Sequence, residues 1–177
     1  MENQHDIFNE KLVARIPTWK TVLAKTGIVL LAAAIIVFAV LTLLSLRSVV
    51  GYFFPFVVVG AGYGAWFLVR RFNIEYEYSI TNDSMDIDKI IAQSSRKNLL
   101  TMDLHFIEEA GPADGAAFAR VKEMDFDSIA DYTSHVQAPG RWYIIYSQDG
   151  KRNLIFLEPS EKMIRSFRTY APNALPR

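Results

Sequence analysis

Cysteine is absent from the 177 residues. That excludes structural disulfides, thiolate nucleophiles and cysteine-ligated metal, and it suits a reducing compartment. Histidine is scarce, with only His5, His105 and His135. No H-x-x-x-H or H-E-x-x-H spacing links them, so they read as ordinary surface histidines and not as a zinc set. The chain has no G-x-S-x-G elbow, no phosphate-binding G-x-x-x-x-G-K-[ST] and no G-x-G-x-x-G after a strand. No acidic run has calcium-loop spacing, and Asp86 with Asp88 reads as the solvated face of a strand. No catalytic, cofactor-binding or metal residue is assigned, and an enzyme is not expected. A basic surplus is also missing where a soluble domain would sit. Residues 72–177 carry twelve basic and sixteen acidic side chains, against seven and three in residues 1–71. The balance is −4 against +4, which leaves no electrostatic case for a nucleic-acid partner.

A third scarcity is local. Between Thr26 and Val69 the one charged residue is Arg47. Each uncharged window holds about twenty residues and, as a helix, reaches roughly 30 Å, the thickness of a bilayer's hydrocarbon core. Two transmembrane helices are expected, over about 26–46 and 49–69, in a hairpin domain spanning 26–71. The Arg47-Ser48 connection is so short that they must be antiparallel neighbours. A cleaved signal peptide is the poorer reading, because the first apolar run is long and a second follows at once.

Lys11, Arg15, Lys20 and Lys25 precede this hairpin, and Arg70 and Arg71 follow it. By the positive-inside rule both termini are cytoplasmic, on a plasma membrane. Trp19, Lys20, Lys25, Trp66, Arg70 and Arg71 are the candidate membrane-interface residues, with the lipid bilayer as their partner. Gly60 and Gly64 form a Gly-x-x-x-Gly pair for close helix packing, against the first helix or against a second copy of the chain. Residues 1–25 read as a cytoplasmic amphipathic leader: an interfacial helix with Ile7, Leu12, Val13, Ile16 and Trp19 on its apolar face, or a frayed segment.

From Phe72 the hydrophobic period shortens to two. Ile74, Tyr76, Tyr78 and Ile80 alternate with Glu75, Glu77, Ser79 and Thr81, as in a half-buried strand. Asn82-Asp83-Ser84 reads as a turn, 85–91 as the returning strand, Ser94–Asn98 as a second turn, and Leu99–Leu104 as a third strand. Residues 105–124 give no firm reading: Gly111-Pro112 breaks structure, and Ala113–Val121 is either a short helix or a loop. Residues 124–133 suggest another strand, and Trp142–Ser147 and Asn153–Leu157 form a hairpin about Asp149-Gly150. Ser160 caps a final amphipathic helix over about 160–170, before a tail at 171–177. Trp142 and Tyr146 share one strand face and are the candidate partner surface.

The fold class expected is an α+β membrane protein, a two-helix transmembrane hairpin followed at 72–170 by a small antiparallel β barrel or sandwich closed by a C-terminal helix. The run from Tyr76-Glu77-Tyr78-Ser79-Ile80-Thr81-Asn82 to Met85-Asp86-Ile87-Asp88, together with the Asp149-Gly150 hairpin leading into Glu158-Pro159-Ser160-Glu161-Lys162-Met163, resembles bacterial PH-like domains attached to membrane helices. Over its length the chain is similar to a family of small bacterial membrane proteins with this layout. The resemblance imports no enzymatic activity; the function expected is that of a membrane-anchored interaction or scaffolding module, with an unidentified membrane or cytoplasmic protein as partner. The alternatives are a lipid-sensing or envelope-stress accessory protein and an accessory subunit of a transporter or larger membrane complex. Only a thin basic set, Lys89, Arg96 and Lys97, replaces the dense Lys/Arg loop of phosphoinositide-binding PH domains.

Overall fold

In the computed structural model, which describes residues 8–45 and 53–175, the chain opens with a strand, β1 (Phe8–Ala14). Over these seven residues a strand stands in place of the expected interfacial helix or frayed leader. The apolar residues of this stretch fit a helical face and a strand about equally well. Long-range pairing decides, because β1 runs antiparallel to β2 (Ile74–Thr81), with Phe8 opposite Thr81 and Ala14 opposite Glu75. Val13 is thereby buried while Leu12 stays 52% exposed. Expectations resting on His5, Ile7, Arg47 and Ser48 fall outside the described residues.

The chain forms two units, one built around residues 17–74 with 91–93, the other from 75–90 and 94–175 together with β1. The first unit contains α1 (Trp19–Ser45) and α2 (Phe54–Arg70). α1 begins before the expected Thr26, since Pro17 precedes the helix and does not interrupt it, and Thr18 Oγ1 accepts from the Thr21 N–H. Pro55 sits in the first turn of α2, where its missing N–H costs no helical bond. Ile28–Ile35 of α1 and Gly60–Leu68 of α2 line one groove, and Val40 and Leu43 share another with Phe54–Val59. Rising numbers on one helix meet falling numbers on the other, so the pair is antiparallel. Apolar side chains are exposed along both helices; of α1 only Ala39 is buried, and of α2 none.

In the second unit β2 is followed by β3 (Ser84–Ile91) and β4 (Ser95–Asp103), giving a sheet in the order β1-β2-β3-β4. Tyr76, Tyr78, Ile80, Met85 and Ile87 fill its buried face. The first turn uses Asn82 at φ +56°. The second falls at 92–94, and not over Ser94–Asn98; Ser95–Asn98 are polar because they lie on an exposed edge strand. Ala92 and Gln93 both have positive φ, as a two-residue hairpin turn of the primed type requires. Ala92 is held there by its N–H donating to the Asn73 carbonyl (2.9 Å) and its carbonyl accepting from Arg70 Nη2 (3.2 Å).

A 3-10 turn (Leu104–Phe106) leads to β5 (Ile107–Pro112), α3 (Ala116–Val121), β6 (Ser128–Asp131), β7 (Trp142–Gln148) and β8 (Lys151–Leu157). The segment 105–124 is therefore ordered, and Pro112 ends an edge strand, a position that needs no N–H. The second sheet runs β5-β7-β8-β6, and β6 pairs with β8 in parallel. Of the expected antiparallel barrel or sandwich, the closed barrel is corrected and so is the purely antiparallel pairing: the described residues form two four-stranded sheets, each with open edges. One face of the second sheet is covered by α3. β7 is buried on both sides; Tyr143 and Ile145 meet Phe118 and Val121 of α3, with Phe118 edge-on to Phe156 at 5.7 Å. The chain ends in α4 (Glu161–Tyr170), capped by Ser160 accepting from the Met163 N–H, with Met163 and Phe167 fully buried.

If β1 is a strand of the sheet, Val13→Asp buries a charge and destabilises the detergent-solubilised chain by several kcal/mol, while Leu12→Asp stays within about 0.5 kcal/mol. Equal, negligible shifts in thermal unfolding for both would return residues 8–14 to the status of a leader.

Candidate functional site

Antiparallel packing brings the N-terminal turns of α1 and the C-terminal turns of α2 to one end of the helix pair. Trp19, Lys20 and Lys25 of α1 and Trp66, Phe67 and Arg70 of α2, with Arg71 just past the α2 terminus, gather there. On α2 the spacing i, i+4 stacks each cation on a ring one turn earlier: Arg70 lies 4.7 Å from the centre of Trp66, and Arg71 4.7 Å from that of Phe67. Tyr63 extends the row, 5.6 Å from Trp66. Lys20 stands 5.8 Å over Trp19, which is 70% exposed. Lys25 Nζ donates to Asn73 Oδ1 at 2.9 Å, so the end of the second helix segment is tied to the beginning of the first. Arg70 lies in the last turn of α2, where positive charge complements the helix dipole. Among the described residues none of Lys20, Lys25, Arg70 or Arg71 is paired with a carboxylate. All six expected interface residues thus lie at one end of one unit.

Gly60 and Gly64 sit differently from a tight helix-packing pair. A methyl group added at either would meet nothing within 4 Å, so the helix backbones do not press together there. The two glycines instead form one wall of an apolar groove of about 190 Å³ between α1 and α2. Glycine spacing signals that a helix surface is flat; it does not say whether the neighbour fills it.

The strand unit carries a polar outer face. Asp88 receives Arg96 Nε at 3.2 Å and Asn98 at 2.9 Å, Glu77 also pairs with Arg96, and Thr101 bonds Asp86. Arg96, one of the three cations of the thin basic set, is thus committed to carboxylates. Asp103 caps the 3-10 turn by accepting the His105 N–H at 2.8 Å, and its other close neighbour is His105 Nδ1 at 2.7 Å. The backbone hydrogen bond, followed by the histidine side chain, holds the Asp103 carboxyl below its ordinary value. Asp83 completes a group within 4.8 Å, but this capping turn accounts for the arrangement. His135 lies elsewhere, its Nδ1 3.1 Å from Ser134 Oγ.

Tyr146 is 7% exposed and Trp142 half-buried, so the two do not make an exposed aromatic pair. Burial also raises the phenols of Tyr78, Tyr132, Tyr143 and Tyr146. Tyr143, donating to Glu109 at 2.8 Å, is pushed up to about 12, and Tyr78, donating to the Tyr132 carbonyl at 2.6 Å, goes higher still. Both stay neutral donors at physiological pH.

A family model described as "Bacterial PH-like domain (DUF6106)" matches residues 5–176, taking in both helices as well as the two sheets. The chain belongs to this bacterial PH-like family. No curated protein and no solved structure matches it. Within the PH-like family assignment, Phe67, Asn73 and Ala92 are the members of the helix-end cluster that sequence reading missed. The Phe67–Arg71 pair was detectable, since its i, i+4 spacing repeats that of Trp66–Arg70. The Lys25–Asn73 and Arg70–Ala92 contacts join distant segments and leave no local signal.

The depressed Asp103 carboxyl stabilises the fold above the ordinary carboxylate value and loses that contribution as pH falls through its lowered value. Asp103→Ala is expected to cost about 1 kcal/mol at pH 7 in urea titrations of the whole chain. The gap from the unsubstituted protein should close in acid; a gap that persists unchanged there would remove the capping account.

Proposed function

We infer that the chain is a bacterial membrane-anchored module that holds its PH-like domain on the cytoplasmic face of the plasma membrane, where the domain serves protein interaction and not catalysis. The observation that carries this reading is the pairing of β1 with β2. The helix-bearing segment leaves one sheet after Ala14 and returns to it at Glu75, so its two ends are fixed at adjacent strands. A segment that starts and finishes at one sheet crosses a bilayer an even number of times. α1, over Trp19–Leu44, is long and apolar enough to cross, with mean hydropathy 3.0 in its best window. The return falls to α2, whose 17 residues sit at the lower end of the spanning range.

Two further features support the same reading. β1 precedes α1, so removal of α1 as a signal peptide would also strip an edge strand from the sheet. The bare aromatic and basic residues at one helix end match the composition of an inner-leaflet interface. The interaction role rests on the PH-like family assignment and on the open sheet edges, and it is the part that needs a partner to be found.

The absence of cysteine makes the topology directly testable. A thiol introduced as Ser48→Cys should react with an impermeant reagent on intact cells, and one introduced as Asp149→Cys only after permeabilisation. Shielding of both in intact cells would place α1 and α2 on one side of the membrane and refute the two-span anchor. Affinity purification of the full chain in mild detergent should then recover a reproducible protein partner, and recovery of none would refute the interaction role.

A further inference from the structure

We propose that the helix pair binds one anionic phospholipid of the surrounding bilayer, its phosphate at Lys25, Arg70 and Arg71 and an acyl chain in the groove between α1 and α2. The proposal rests on the reading of these helices as membrane-embedded. Ile28, Leu31 and Ile35 on α1 face Gly60, Gly64 and Leu68 on α2 across about 190 Å³ of apolar space. The open space at the Gly60 and Gly64 Cβ positions means that the helices leave this groove unfilled by their own side chains. In a bilayer such a groove is filled, because dispersion contacts are lost along any empty wall.

The cations specify which occupant fits. Ile28 is one helical turn beyond Lys25, and Leu68 only two residues before Arg70, so the groove opens within about 5 Å of axial rise of three positive charges. Those charges have no carboxylate of their own among the described residues. They are also held in place. Arg70 is fixed by Trp66 and the Ala92 carbonyl, Arg71 by the Phe67 ring, and Lys25 by Asn73, each with N–H donors left over for a phosphate. A zwitterionic lipid would bring its own cation to this end, whereas an anionic one matches it.

The test is native mass spectrometry of the full chain released from mild detergent after equilibration with equal amounts of phosphatidylglycerol and phosphatidylcholine. The unsubstituted chain should retain a single phosphatidylglycerol in preference to phosphatidylcholine. Arg70→Gln with Arg71→Gln should lower its retention about fivefold per arginine removed, and Arg70→Lys with Arg71→Lys should keep most of it. Gly64→Leu, which fills the groove without touching a charge, should lower retention as well. Equal retention of the two lipids, or full retention in the glutamine double variant, overturns the proposal. Loss with the arginine changes but not with Gly64→Leu overturns the groove, leaving only surface attraction. Alkaline carbonate extraction of cell membranes separates failure of this site from failure of the anchor: a chain that stays in the membrane pellet yet shows no lipid preference refutes the site alone, and a chain released to the supernatant refutes both.

Discussion

The pairing of β1 with β2 is the constraint on which the structure depends. It joins two strands separated by the whole helical segment, residues 15–73. The entropic cost of closing so long a connection is modest, since each doubling of loop length adds only about 0.6 kcal/mol. The ladder it forms is local and strong by comparison, with seven registered residue pairs and Val13 sealed beneath it. Once the ladder is made, the apolar segment begins and ends at neighbouring strands of one sheet. The two-span anchor proposed above rests on this strand, which precedes the first apolar residue of the helical segment.

Much of the strand unit was legible because its residues carry their instructions locally. The period-two run from Ile74 to Ile80, the Asn82 and Asp149-Gly150 turns and the Ser160 cap all work through neighbours in sequence. β1 was not legible, because its seven residues are amphipathic in either conformation and only β2 distinguishes them. The same holds for the parallel entry of β6 beside β8, which depends on where a distant edge is vacant. The second turn was misplaced for a different reason. Polarity pointed to Ser94–Asn98, whereas the left-handed residues are Ala92 and Gln93, which have little intrinsic preference for that region; Ala92 is held there by Asn73 and Arg70.

The helix-end cluster divides along the same line. Trp19, Lys20, Lys25, Trp66, Arg70 and Arg71, singled out by charge and aromatic content, lie at one end of the antiparallel pair because they occupy the first turns of α1 and the last turns of α2. What these residues do to one another was hidden. The i, i+4 stacking fixes two guanidinium groups, and the Asn73 and Ala92 contacts turn a flexible basic flank into a positioned one. Gly60 and Gly64 show the opposite outcome. Their spacing is compatible with tight packing, yet the neighbouring side chains on α1 leave a groove, and it is that empty space which gives the cations a second half to act with.

The most direct measurement is a disulfide across the ladder. Leu12 and Glu77 are register partners, and paired Cα atoms in an antiparallel sheet lie roughly 4.5–5.5 Å apart, within the range a disulfide spans. In this cysteine-free chain, Leu12→Cys with Glu77→Cys should oxidise readily in membranes and migrate as a looped species on a non-reducing gel. Leu12→Cys with Ser79→Cys, two residues out of register at roughly 7–8 Å, should remain reduced. Oxidation of neither pair, or of the shifted pair alone, would contradict the β1–β2 ladder and the topology built on it.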